Sequence, residues 1–98
     1  MKKFKLRISK RAYADIAGLA YFIEDLSSAG ASDKYMQGID DVIEKLSYYA
    51  GSVGKNEYVQ KMFGEKARHI TYKKMAIIFS IKNETVFIKR IIACSLIH

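Results

Sequence analysis

Between residues 68 and 74 the chain gathers Arg68, His69, Tyr72, Lys73 and Lys74, and a second basic pair, Lys89 and Arg90, follows an apolar stretch. Guanidinium and ammonium groups neutralise phosphate, and an imidazole or phenol can stack on a base or move a proton. If the strands carrying the two groups are antiparallel neighbours, several of these cations share one sheet face able to hold phosphates. The competing reading makes Lys73 and Lys74 a solvated hairpin turn and His69 an ordinary strand residue. Arg90 interrupts Val86-Phe87-Ile88-Lys89-Arg90-Ile91-Ile92. An arginine in a largely buried strand needs either a carboxylate partner or an open concave face.

Other chemistries find little support. His69 and His98 are far apart, no HxxxH or CxxC spacing exists, and one cysteine, Cys94, permits neither an internal disulfide nor a multi-cysteine zinc site. Cys94 sits among Ile91, Ile92, Ala93 and Leu96, the surroundings of a small buried hydrophobe and not of a nucleophile. Asp40 and Asp41 are adjacent, so on a helix they point about 100° apart and do not form a carboxylate pair. Gly51 and Gly54 lack the Lys-Ser/Thr that completes a phosphate loop. No cofactor is implied. The seven tyrosines read as half-buried helix-face aromatics.

These residues must be held by a small body. The chain has 98 residues and a net charge of +7, which fits one domain spanning 1–98. Residues 1–50 carry 8 basic and 7 acidic groups, residues 51–98 carry 9 and 3, so the second half holds +6 of the charge. Such a half suits an anionic partner, either nucleic acid or an acidic protein segment. Apolar runs such as Met75–Phe79 fall far short of the roughly 18–20 residues of a membrane span. The basic start, Met1-Lys2-Lys3-Phe4-Lys5, is not followed by the apolar core of a signal peptide, so the expectation is a cytoplasmic protein with no membrane association.

Hydrophobic periodicity gives the elements. Phe4, Leu6 and Ile8 alternate with Lys5, Arg7 and Ser9, predicting a strand with one buried and one cationic face. Ser9 can cap a helix of about 17 residues whose stripe is Ala12, Ile16, Leu19, Ile23 and Leu26, with Asp15 off the stripe. Small residues from Ser27 to Ser32 mark a break, in which Gly30 can take positive φ and Ser32 can cap a second helix. There Met36, Ile39, Val42 or Ile43, Leu46 and Tyr49 or Ala50 repeat the pattern, making a helical hairpin. Gly51–Asn56 opens a loop, and Glu57–Phe63 fits either a helical turn or an irregular crossing. Ala67–Tyr72, Met75–Ile81 and Val86–Ile92 predict three strands in an antiparallel meander, with a turn at Lys82-Asn83-Glu84. The expected class is α+β, in the order β-α-α-β-β-β.

The segment from Ala67 to Ile97 resembles the C-terminal half of the RelE/ParE superfamily, the toxins of type II toxin–antitoxin modules. The family pattern there is an Arg-bearing strand, an "R-I-I-Y-x-I" strand, an acidic or Asn turn, then "V-x-I-x-R-I-I", which Val86–Ile92 matches. The opening Ser9, Ala12, Asp15 and Ile16 is similar to the family's "Ser-x-x-Ala-x-x-D-I". The resemblance implies a helical hairpin on a small, twisted, mainly antiparallel sheet, and a cognate antitoxin with an acidic, partly disordered segment. It implies one of two targets: RelE-like members cut mRNA on the ribosome, and ParE-like members inhibit DNA gyrase. Arg68 matches the basic residue of the second strand and Arg90 the arginine of the last. Ala76 stands where the "R-I-I" strand begins, and Ala93–His98 replaces the basic, His- or Tyr-bearing nuclease tail. These departures favour a ParE-like, plasmid-stabilisation type of bacterial toxin that binds without cutting. The RelE-like alternative would use Arg68, His69 and Arg90; a third is a degenerate member that only binds antitoxin. Contacts to a partner or nucleic acid are expected from Arg68, Lys73, Lys74, Lys89, Arg90 and Leu96. An exposed Leu96-Ile97 would touch antitoxin or a second copy in a homodimer.

Overall fold

A computed structural model describes residues 3–26 and 31–97, without the side chains of residues 22–26, 31 and 32. Strand β1 (Lys5–Ile8) leads into α1 (Lys10–Leu26) and α2 (Ala31–Tyr49). A 3₁₀ turn (Ala50–Ser52) and a short α3 (Glu57–Phe63) precede β2 (Arg68–Tyr72), β3 (Met75–Lys82) and β4 (Thr85–Ala93), and Cys94–Leu96 forms a last 3₁₀ turn. The sheet order is β1-β4-β3-β2, with β1 parallel to β4 and the other pairs antiparallel. The class is α+β as expected. The break at Ser27–Gly30 and the backbone of Gly30 lie outside the described residues, as do His98 and the side chains of Ile23 and Leu26. Ser32 lies inside α2 and does not precede it.

Local chemistry accounts for the elements. Ser9 caps α1 as predicted: its Oγ accepts from the Ala12 amide at 3.0 Å. The ambiguous 57–63 segment is a third helix, which the predicted order lacked. Asn56 Oδ1 caps it by accepting from the amides of Tyr58 (2.9 Å) and Val59 (3.1 Å), and Gly64 ends it at φ 112°. Lys73-Lys74 and Asn83-Glu84 all have positive φ, which closes the β2–β3 and β3–β4 hairpins in two residues each.

The sheet has two unlike faces. On one, Ile77, Phe79, Val86, Ile88 and Ile91 meet Ala12, Ile39, Ile43, Leu46 and Ala50 of the helices in the main core. The Phe4 amide donates to the Ser47 carbonyl at 2.6 Å, which ties the head of β1 to α2. On the other face Ala76, Ile78 and Ile92 pack under Val59 and Ala67, with Phe63, Cys94 and Ile97 alongside. Cys94 is partly buried there, close to the hydrophobe its neighbours suggested. Among the described residues no helix is long and apolar enough to cross a membrane.

One close approach fixes β2 against α2. A Cβ at Gly38 would lie 2.6 Å from Tyr72 Cζ and closer still to its hydroxyl. The Tyr72 ring cannot simply swing aside, because it meets Tyr35 edge-on at 5.2 Å and carries Lys73 Nζ 5.6 Å from its centroid. Alanine gains roughly 1 kcal/mol of helix propensity over glycine, but overpacking costs about 1–3 kcal/mol. Gly38→Ala is therefore expected to lower the melting temperature by about 5 °C, and adding Tyr72→Leu to recover it. Thermal unfolding followed by circular dichroism measures both.

Candidate functional site

The strand lengths set up the first charged arrangement. β1 is four residues long and β4 nine, and β1 pairs only with Thr85–Ile88. Beyond Ile88, α1 takes over the exposed edge. The Ser9 amide donates to Ile88 O at 3.0 Å, and Ser9 Oγ donates to Lys89 O at 2.8 Å. One turn further on, Asp15 accepts from the Ile91 amide at 2.9 Å and from Arg90 Nε and Nη2 at 2.8 and 3.1 Å. A β-bulge lies at this point: Phe79 pairs with Ile88 and Ile78 with Arg90, so Lys89 has no partner across the ladder. Of the two settings left open for Arg90, a carboxylate partner or an open concave face, the structure has the first, and the carboxylate is Asp15, a residue that periodicity alone placed merely off the helix stripe.

Two opposed effects act on Asp15. Burial raises its pKa, but the Arg90 hydrogen bonds, the Ile91 amide and the charges of Arg90 and Arg11 outweigh it, so it falls below the ordinary 3.8. The hydrogen bond to Asp15 likewise raises the pKa of Arg90.

The other predicted residues do not converge. β3 lies between β2 and β4, so the two groups of cations are not on neighbouring strands. Arg68 Nη1 donates to the carbonyls of Ala50 (3.2 Å), Gly51 (3.4 Å) and Val53 (3.2 Å), which finish the chain's exit from α2. His69 alternates to the opposite face. Its Nδ1 is buried with no hydrogen-bond partner among the described residues, and burial lowers its pKa, so the ring is neutral at pH 7. Lys73 and Lys74 form the exposed hairpin turn, where Lys73 also sits 6.0 Å from the Tyr35 ring centroid. Lys89 Nζ donates to Phe63 O at 3.3 Å, the C-terminal carbonyl of α3. Leu96 is exposed, at the rim of a hollow of about 450 Å³ that includes Ala14, Gly18, Leu19 and the Asp15–Arg90 pair.

What brings cations together is a surface that sequence reasoning passed over. On the face away from α1 and α2, the lower half of the sheet is uncovered. A groove of about 580 Å³ there is lined by Arg7, Lys66, Lys82 and Lys89, with Ser80 and Phe87 among its other residues and no carboxylate among the described residues. Arg7, Phe87 and Ser80 stand in one row across β1, β4 and β3. The signal was the cationic face predicted for β1. Among the described residues no three histidine, cysteine or carboxylate side chains come together.

Neither a protein-family model nor a curated protein sequence matches the chain. Solved structures do. A chain of the chromosomal ParDE TA system from P. aeruginosa superposes with a TM-score of 0.80 at 20% identity, over 95% of this chain and 98% of that one. A chain of the RelBE2 toxin–antitoxin complex from Mycobacterium tuberculosis superposes with a TM-score of 0.58 at 16% identity, over 93% and 98%. The fold is therefore that of the RelE/ParE group of toxin–antitoxin proteins.

The Asp15–Arg90 pair can be tested through acid stability. Because the folded pKa of Asp15 lies below its unfolded value, the pair's contribution is complete above about pH 4 and is lost as pH falls through the folded value. Asp15→Asn is expected to cost about 1–2 kcal/mol at pH 7, in line with a part-buried charge-assisted pair. The gap from wild type should then close towards pH 2. Urea unfolding of both proteins at pH 7, 5, 3.5 and 2.5 gives the comparison.

Proposed function

We propose that this protein is the toxin of a type II toxin–antitoxin module, of the ParE-like kind, which binds and inhibits DNA gyrase and is neutralised by a cognate antitoxin. The observation that carries the reading is the dispersal of Arg68, His69 and Arg90. Cleavage of RNA needs a proton-transfer group and phosphate-neutralising cations focused on one point. Here the Arg68 guanidinium is spent on backbone carbonyls and that of Arg90 on Asp15, while β3 separates β2, which bears Arg68 and His69, from β4, which bears Arg90. Ala76, where the family's "R-I-I" strand begins, is fully buried under α3, so no cation is supplied there. A toxin of this construction acts by occupying a partner and breaks no bond. The higher superposition on the ParDE chain points the same way.

A supercoiling assay with purified gyrase, run beside cleavage of mRNA on programmed ribosomes, separates the targets. The expected result is inhibited supercoiling, intact mRNA, and unchanged inhibition by His69→Ala. Codon-associated cuts abolished by His69→Ala, with normal supercoiling, would replace this reading with the RelE-like one. If both assays are silent while the protein still binds its antitoxin, the chain is a binder only.

A further inference from the structure

The groove on the uncovered half of the sheet takes no part in the reading above, and its composition is unusual for this chain. Four cations on four separate stretches, Arg7 on β1, Lys66 ahead of β2, Lys82 on β3 and Lys89 on β4, line one opening. A basic surface left only for solubility would carry interspersed carboxylates, and none among the described residues lines this opening. Nor is it covered from within. The apolar upper half of the same face is roofed by α3 and the C-terminal residues, whereas from Ser80 onward β3 has no β2 partner and the face lies open. Phe87 sits within this basic surface, with Arg7 on one side in register and Ser80 on the other. An aromatic ring on an open sheet face, flanked by cations, can stack an unpaired base while the rim neutralises its phosphates. A duplex keeps its base faces covered and cannot use the ring.

We infer that this groove binds single-stranded nucleic acid, with a base stacked on Phe87 and the backbone held by Arg7, Lys66 and Lys82. The site is one of binding and not of cleavage, since no histidine, tyrosine or carboxylate among the described residues lines it. It stands whichever target the toxin has, because it uses neither the Asp15–Arg90 pair nor the hollow beside Leu96.

Fluorescence anisotropy of the intact protein with labelled dT12, labelled rU12, a duplex 12-mer and a twelve-residue polyglutamate peptide provides the test. The expected result is at least tenfold tighter binding of one or both single strands than of duplex or peptide. The preferred strand then tells whether DNA or RNA is the ligand. Three neutralised phosphates at about 0.7 per contact predict roughly a twentyfold loss of affinity between 50 and 200 mM salt. Phe87→Leu, which keeps apolar bulk and removes the ring, should weaken binding by about fivefold or more, and Phe87→Tyr should retain it. Lys66→Glu with Lys82→Glu, both exposed positions, should abolish binding without moving the melting temperature. No binding of either single strand up to 100 µM at 50 mM salt would overturn the inference. So would peptide binding as tight as that of the strands, which makes the groove a site for acidic protein, or affinity unchanged in Phe87→Leu.

Discussion

A four-residue strand beside a nine-residue one leaves five backbone positions of β4 without a strand neighbour on that side, and the structure turns on how that edge is closed. Backbone amides removed from water must find acceptors. Asp15 of α1 accepts from the Ile91 amide, and Ser9, which caps α1, donates to the carbonyls of Ile88 and Lys89. Ser9 caps this helix and Asp15 lies in its second turn, so satisfying the edge also fixes the helix's position over the sheet. Arg90 completes the arrangement, because a carboxylate brought down to the sheet would otherwise be a part-buried charge without a counterion. The bulge that leaves Lys89 without a cross-strand partner lies at this same place, immediately before Arg90.

From this follows the asymmetry of the two faces. α1 and α2 commit one face wholly to apolar packing on Ile77, Phe79, Val86 and Ile88. The other face has only the seven-residue α3 and a few C-terminal residues to cover it, enough for Ala76, Ile78 and Ile92 but not for the rest. The bulged Lys89 reaches from β4 to the last carbonyl of α3, joining the roofed half to the open half. A sheet that is dry above and wet and basic below can fold around one half of this face and offer the other to a partner. The +6 of the second half of the chain is therefore not spread evenly: some of it is internal, in Arg68 and Arg90, and some is displayed.

The difference between internal and displayed cations bears on function. In small proteins of this fold, arginines are the obvious candidates for phosphate chemistry, since a planar guanidinium is suited to it. That same planarity and donor count make arginine an effective clasp for backbone carbonyls, which is how Arg68 is used, and a bidentate partner for a carboxylate, which is how Arg90 is used. Lys66 and Lys82, whose compact ammonium groups are strongly hydrated, stay exposed at the rim. Arg68 and Arg90, committed in this way, are not free for phosphate chemistry, whereas Arg7, Lys66 and Lys82 remain exposed.

Much of this was legible in the residues themselves. Period-two alternation at Phe4–Ile8 and in the last third, three-four spacing on two helices and the Ser9 cap are local signals, and each corresponds to the element that formed. The resemblance of Val86–Ile92 and of Ser9–Ile16 to family patterns likewise led to the right fold. Even the choice facing Arg90, a carboxylate partner or an open concave face, followed from charge and burial alone. What the residues did not disclose was anything that depends on which strands are neighbours. Asp15 lies 75 positions from Arg90, and a helix stripe says which face is apolar but not what the adjacent face will touch. That β3 separates Arg68 from Arg90, and that Arg7, Lys66, Lys82 and Lys89 share one opening, are consequences of the β1-β4-β3-β2 order. Local propensity determined the elements because it acts within a few residues. The site was decided by sheet order, which is settled only when distant apolar faces compete for the same core.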